Sequence, residues 1–254
     1  LGMYGLADTK YDEAVTCQLE FLGKLKAAGD VEVGAVLYNK AENARMQCSY
    51  DRANKLYLQS YAIFLRAQGA DSEGCLKCNH GRGELLLLRG LVDQAKMLFE
   101  DVLRARVGHY AIPGKFVRQG VPQVRDHPCL AQSYHSLAQV ALYNGGLGLA
   151  HDYATQAMEM MLRMERDNPK NYHVDDYGNC PDIGITLGKI AIEKGDFKEA
   201  EKQFKAAKSI RTDVNACGND HPDNANDMMA FATLFCRQDK FRDARKLVGK
   251  AMRV

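Results

Sequence analysis

The chain has 254 residues, 46% hydrophobic and 26% charged, and its 34 basic against 32 acidic side chains leave a formal charge of +2. This composition excludes intrinsic disorder, and the near-neutral balance argues against a dedicated nucleic-acid binder. The longest compact apolar run, Leu85 to Leu88, is far shorter than the roughly 18 residues a membrane-spanning helix requires, and the eight cysteines are scattered rather than framed for disulfides, which predicts a cytoplasmic or other reducing compartment.

Taken in chain order, six stretches end in an alanine. The first, Tyr11-Asp12-Glu13-Ala14, lies in a unit near 1–30 whose Gly2 already occupies a mid-helix position; this predicts natural residues upstream. The second unit, 31–70, sets Val36, Leu37, Ala41 and Ala44 on one helical face and returns through Tyr50, Ala53, Leu56, Tyr57 and Ser60. The third, 73–104, contains Val92-Asp93-Gln94-Ala95. A long connector, 104–128, follows, rich in glycine and proline and carrying Arg104, Arg106, Lys115, Arg118 and Arg125 with Asp126 as its one acid. It is read as a solvated linker, or as a basic loop that docks an acidic tail, a phosphate-bearing surface or another subunit.

The fourth unit, 128–165, has Leu147-Gly148-Leu149-Ala150 and a returning helix with Met158, Met161 and Met164 on one face and Met160 to the side, read as core. A second connector, 166–181, precedes the fifth unit, 181–212, where Gly195-Asp196 breaks two helices before Phe197-Lys198-Glu199-Ala200. Gly195 suits the left-handed residue that ends a helix; Gly90 and Gly145-Gly146 occupy the matching places. The sixth unit, 222–254, contains Phe241-Arg242-Asp243-Ala244.

Twelve residues before each closing alanine stands Gly2, Ala41, Gly83, Ala138, Gly188 or Ala232, always glycine or alanine. Two antiparallel helices that cross closely leave no room for a branched side chain at their crossing, so small residues at fixed offsets predict a repeated helical hairpin. The alanines are spaced 39, 42, 55, 50 and 44 residues apart. One kind of unit with variable connectors, forming a single elongated all-α domain over 1–254, accounts for this spacing.

Small residue, aromatic and alanine at these offsets resemble the tetratricopeptide repeat. The joints Gly218-Asn219-Asp220-His221-Pro222-Asp223 and Asp126-His127-Pro128, with Cys180-Pro181-Asp182 as a degenerate copy, resemble those of kinesin-light-chain-type repeats. The resemblance implies a right-handed superhelix of helix pairs whose first helices line a concave, peptide- or subunit-binding face. Carried over by register, that face presents Tyr38, Asn39, Glu42, Arg45, His80, Glu84, His135, Gln139 and Lys189. His127 and His221 are expected to pack or bond at the joints.

Local chemistry motifs are weak. Cys75-Leu76-Lys77-Cys78-Asn79-His80 departs from a haem-attachment motif by the intervening asparagine and has no second ligand pair for zinc, so the cysteines are read as buried. No nucleophile elbow, metalloprotease motif, phosphate loop or cofactor motif occurs, and Asp175-Asp176 are read as solvated. The expectation is a non-catalytic scaffold or adaptor that binds a protein or peptide within a larger assembly, in the cytoplasm, a cilium or an organelle interior. A metal- or redox-responsive protein using Cys75 and Cys78 is the alternative, and a nucleic-acid-binding repeat is the weaker one.

Overall fold

A computed structural model describes residues 2–22, 30–118, 120–167, 179–214 and 222–253. The chain divides into two units, Leu1–His109 and Tyr110–Val254. The first contains α1 (Gly2–Leu22), the hairpin α2 (Val31–Met46) and α3 (Tyr50–Gln68), and the hairpin α4 (Glu73–Leu88) and α5 (Val92–Tyr110). The second begins with strands β1 (Ala111–Arg118) and β2 (Val121–Val124) and continues through the hairpins α6 (Pro128–Tyr143) with α7 (Leu147–Asp167), α8 (Asn179–Glu193) with α9 (Phe197–Val214), and α10 (Pro222–Arg237) with α11 (Phe241–Ala251). The helical-hairpin array predicted from the alanines is the fold observed.

The hairpins share one turn. Five residues before the closing alanine stands Cys48, Gly90, Gly145, Gly195 or Asp239, each with φ between 58° and 79°. The next residue donates its N–H to the carbonyl five back (Ser49 to Ala44, Leu91 to Leu86, Gly146 to Ala141, Asp196 to Ala191, Lys240 to Phe235), each at 2.9 Å. Its own carbonyl then accepts from the closing alanine of the returning helix at 2.9–3.1 Å. One left-handed residue thus satisfies the exposed end of one helix and starts the next.

The first alanine lacks this device, and its predicted hairpin is absent. Thr9 stands five residues before Ala14, and a β-branched residue strongly resists the left-handed conformation. The chain therefore runs through it as the single helix α1. Within it, Thr9 Oγ1 donates to the Gly5 carbonyl at 3.1 Å, and Lys10 pairs with Glu13 at 2.7 Å. α1 is joined to the α2–α3 hairpin by Asn43 Nδ2 donating to the Tyr4 carbonyl at 3.1 Å and by Arg52 pairing with Asp8 at 2.6 Å.

Cys48 and Asp239 hold φ values of 58° and 59° without being glycine. Cys48→Gly is expected to raise stability by about 0.5–1 kcal/mol, and Asp239→Gly by less, because aspartate tolerates the left-handed region better. Thermal unfolding midpoints check this; a Cys48→Gly midpoint at or below that of the parent counts against strain at this turn.

At the crossings, Ala53, Ala95, Ala150, Ala200 and Ala244 are buried, as are Ala41, Gly83, Ala138, Gly188 and Ala232. The methionines pack in the core, but Met160, read to the side, is buried with Met161 and Met164, while Met158 lies half-buried with its sulfur 3.3 Å from Cys180 Sγ.

The connector 104–128 is not the loop its glycines and prolines suggest. Helix α5 extends to Tyr110, and residues 111–124 form an antiparallel ribbon that pairs Ala111 with Val124, Phe116 with Pro122 and Arg118 with Val121. Pro113 disfavours helix at the residue before it, and Ile112, Phe116, Val117, Val121 and Val124 favour extended backbone. Gly120, with φ at 76°, lies at the turn. The Arg125 N–H donates to the Tyr110 carbonyl at 2.8 Å and closes the base. His127 then caps α6: its Nδ1 accepts the Cys129 N–H at 3.2 Å, its ring stacks 4.0 Å from Tyr110, and Pro128 enters the first turn. The joint at 218–221, including His221, and Asp175-Asp176 of the second connector lie outside the described residues.

Candidate interaction surface

Each hairpin places the residue after its small crossing residue on the open side of its first helix. This register gives Glu42 on α2 and Glu84 on α4 in the first unit, and Gln139 on α6 and Lys189 on α8 in the second. The position three before the small residue gives Tyr38, His80 and His135.

In the first unit these side chains form one network. Glu42 accepts from Arg45 Nε at 3.1 Å and Nη2 at 2.6 Å, and also from the Tyr57 hydroxyl. Arg45 Nε lies 3.5 Å from Glu84 Oε2, which ties successive first helices together. Burial opposes the Arg45 charge, but Glu84 and Glu42 outweigh it and hold the guanidinium charged. Burial, followed by Glu42, pushes the Tyr38 and Tyr57 hydroxyls above the usual phenol range, so both remain donors at neutral pH. Their rings lie 5.9 Å apart. Asn39 is exposed beside this network.

His80 and His135 do not line an open surface. His80 is buried, its ring 5.2 Å from Phe99 and its Nδ1 3.6 Å from Glu84 Oε1. His135 is buried with Nε2 2.9 Å from Thr186 Oγ1 and 3.3 Å from the Gln139 amide, while Thr186 Oγ1 donates to the Asp182 carbonyl at 3.1 Å. Phe99 of the same hairpin covers His80 and Thr186 of the next hairpin covers His135, so within each unit the open position is chiefly the one four residues on. Lys189 presents surface to solvent, yet the protein packed around its ammonium depresses its pKa, with Asp182 partly offsetting the effect.

Burial, then the nearby Lys189 charge, lowers the His135 pKa to about 4. Its value in the unfolded chain lies near 6.5, so the unfolded state takes up the proton first as pH falls. The His135 contribution to stability is complete above about pH 6.5 and is lost towards pH 4, by an amount on the order of 3 kcal/mol over the whole interval. Urea unfolding at pH 7 and pH 5 should show a larger loss for the parent than for His135→Asn; equal losses would remove His135 as the cause.

The basic connector disperses. Arg104 is exposed on α5 and pairs with Asp101 at 2.8 Å. Arg106 is fully buried, with Nη2 2.7 Å from Glu73, because the steps from Ala95 through Phe99 and Val102 carry it onto the inner face of α5. Lys115 and Arg125 are exposed, Arg118 ends β1 with its side chain outside the described residues, and Asp126 is gripped by Arg163 at 2.8 and 2.9 Å.

Cys75 and Cys78 are fully buried, their sulfurs 3.7 Å from the Tyr61 carbonyl and 3.3 Å from Ser60 Oγ. Burial raises both thiols, Cys78 to about 11, which is the opposite of what a reactive thiolate needs. Sequence reasoning missed a second buried cluster, in which Arg211 of α9 bonds Asp182 of α8 and Asp227 of α10. Register was the available signal: Arg106 and Arg211 each stand eleven residues after a closing alanine, Ala95 and Ala200.

The sequence model described as "Tetratricopeptide repeat" matches residues 32–106, which span the two hairpins of the first unit. No curated protein sequence matches the chain. Among solved structures, BtubC (BKLC) from P. vanneervenii is similar at 15% identity, covering 98% of this chain and 90% of that one with a TM-score of 0.60. The Rap conjugation gene regulator of the plasmid pLS20, solved in complex with the Phr* peptide, is similar at 13% identity over 99% of this chain and 70% of that one, with a TM-score of 0.64. The TPR-like repeats of a kinesin-light-chain-type protein of Podosopora anserina give 16% identity, 85% and 92% coverage and a TM-score of 0.51. Residues 32–106 are tetratricopeptide repeats, and the chain has the fold of tetratricopeptide-repeat proteins, kinesin-light-chain-type arrays among them.

Proposed function

We propose that this repeat array is a non-catalytic scaffold that holds an extended peptide or a partner subunit along its first helices. The observation that carries the reading is the recurrence within each unit of one polar position on rigid helices, filled by Glu42 and Glu84 in the first unit and by Gln139 and Lys189 in the second. In the first unit the side chains are pre-ordered by Arg45 and Tyr57, which lowers the entropy a ligand must overcome. Glu42 and Glu84 offer acceptors to backbone N–H groups or cations, and Lys189 offers a donor to a carboxylate or carbonyl. A Rap regulator of similar fold, solved with the Phr* peptide, supports a polypeptide as the class of ligand.

Peptides selected from a random library on the immobilised chain test this. Their affinity, measured by isothermal titration, should fall at least tenfold in Glu84→Lys or Lys189→Glu, with helicity unchanged and the peptide recovered intact. Selected peptides indifferent to both variants would contradict the proposed surface.

A further inference from the structure

The ribbon of β1 and β2 lies outside the helical hairpins of the second unit. A strand packed on a helical layer buries every second side chain. Here no residue of either strand whose burial is described is buried, and the strands pack chiefly on each other. Phe116 is 62% exposed, Val117 70% and Val121, beside the turn at Gly120, 36%. Exposed apolar side chains clustered in this way mark a surface that meets protein or lipid. The stretch 111–125 also holds Lys115, Arg118 and Arg125 and no acid, and Lys115 and Arg125 are exposed. Asp126, the next acid in the chain, is neutralised by Arg163.

The ribbon is poorly built to receive a third strand. Pro113 and Pro122 offer no N–H, and the pairing shifts register between Ala111 and Phe116 and again between Phe116 and Arg118. Proline, lysine and breaks in register are the devices that keep sheet edges from pairing. A second copy of the ribbon would set base against base. A folded partner covers one side of a ribbon, whereas the boundary between lipid headgroups and acyl chains closes around a tip from every side. We infer that the β1–β2 ribbon is a membrane-surface anchor that inserts Phe116, Val117 and Val121 at the headgroup boundary of an anionic bilayer, with Lys115 and Arg125 drawn to the anionic headgroups. The anchor uses none of the residues of the polar row on the first helices, so its failure leaves the peptide-binding proposal standing.

The chain contains no tryptophan, so Phe116→Trp places a single indole reporter on the ribbon. On addition of vesicles of phosphatidylcholine with phosphatidylserine its emission should shift to the blue and be quenched by brominated acyl chains, while phosphatidylcholine alone should leave it unchanged. In vesicle sedimentation the parent chain should bind the mixed vesicles at least tenfold more tightly than the neutral ones. Phe116→Ser with Val117→Ser, and separately Lys115→Glu with Arg125→Glu, should each weaken that binding at least tenfold at an unchanged melting midpoint, all four positions being exposed. No binding, equal binding to the two vesicle types, or indifference to either double variant overturns the inference. So does a dimer in analytical ultracentrifugation that Phe116→Ser with Val117→Ser dissociates, which assigns the ribbon to a second copy. Loss of library-selected peptides in that same variant, without vesicle binding by the parent, assigns the ribbon to a polypeptide and equally overturns the proposal.

Discussion

Gly188→Leu is expected to cost more than about 3 kcal/mol, and even Gly188→Ala should destabilise the fold despite the roughly 1 kcal/mol that alanine gains over glycine within a helix. A Cβ at Gly188 would stand 2.3 Å from Cε1 and 2.6 Å from Cδ1 of Phe204, far inside van der Waals contact. Gly83 meets Phe99 in the same way at 2.6 Å. Where the crossing residue is Ala138, the residue four beyond the closing alanine is the small Ala154 rather than a ring. Tyr57 coexists with Ala41 because its ring also lies over Gly81, where a Cβ would approach within 2.5 Å. Glycine is therefore required where a fully buried phenylalanine fills the crossing. Placing Gly188→Ala in a Phe204→Ala background should turn its effect from destabilising to neutral or stabilising. Urea unfolding of the four variants checks this; a Gly188→Ala that is neutral in the parent would contradict the packing account.

Arg211→Ala carries the second large effect, about 3–5 kcal/mol. Arg211 and Asp227 are buried, and the guanidinium joins Asp227 on α10 to Asp182 on α8. Removing the cation leaves the Asp227 carboxylate buried beside a void, so the loss comes from an uncompensated charge as much as from a missing bond. Arg211→Met with Asp227→Leu should recover most of that loss, because a matched apolar pair removes the desolvation cost on both sides. Denaturant midpoints of the single and double variants decide the matter. A single variant within 1 kcal/mol of the parent would show that the cluster adds little to stability.

The sequence made the hairpins legible because their crossings obey a steric rule that one residue type satisfies. Ala95 and Ala200, with Gly83 and Gly188 twelve residues earlier, mark closest approach wherever they occur. The turn was legible only where glycine fills it. Cys48 and Asp239 adopt the same left-handed geometry without announcing it, and Thr9, which cannot, lets α1 run straight through a predicted turn. Residues 111–124 were read as loop because glycine and proline masked the extended preference of Ile112, Val121 and Val124.

Register located the candidate surface, but depth did not follow from it. His80 and His135 share the position of Tyr38, yet Phe99 and Thr186 on neighbouring helices draw them inside. Arg106 and Arg211 were hidden for the converse reason: charge suggested solvent, while their spacing from the closing alanine placed them on the inner face with acidic partners. A charged residue at an inward register is a sign of a buried pair rather than an exception to the pattern.

Hydrogen exchange of the chain with and without a library-selected peptide tests the central claim most directly. The account predicts added protection on the first helices α2, α4, α6 and α8, above all in the turns that carry Glu42, Glu84, Gln139 and Lys189, with α3, α5, α7 and α9 unchanged. Protection confined to the returning helices would contradict it.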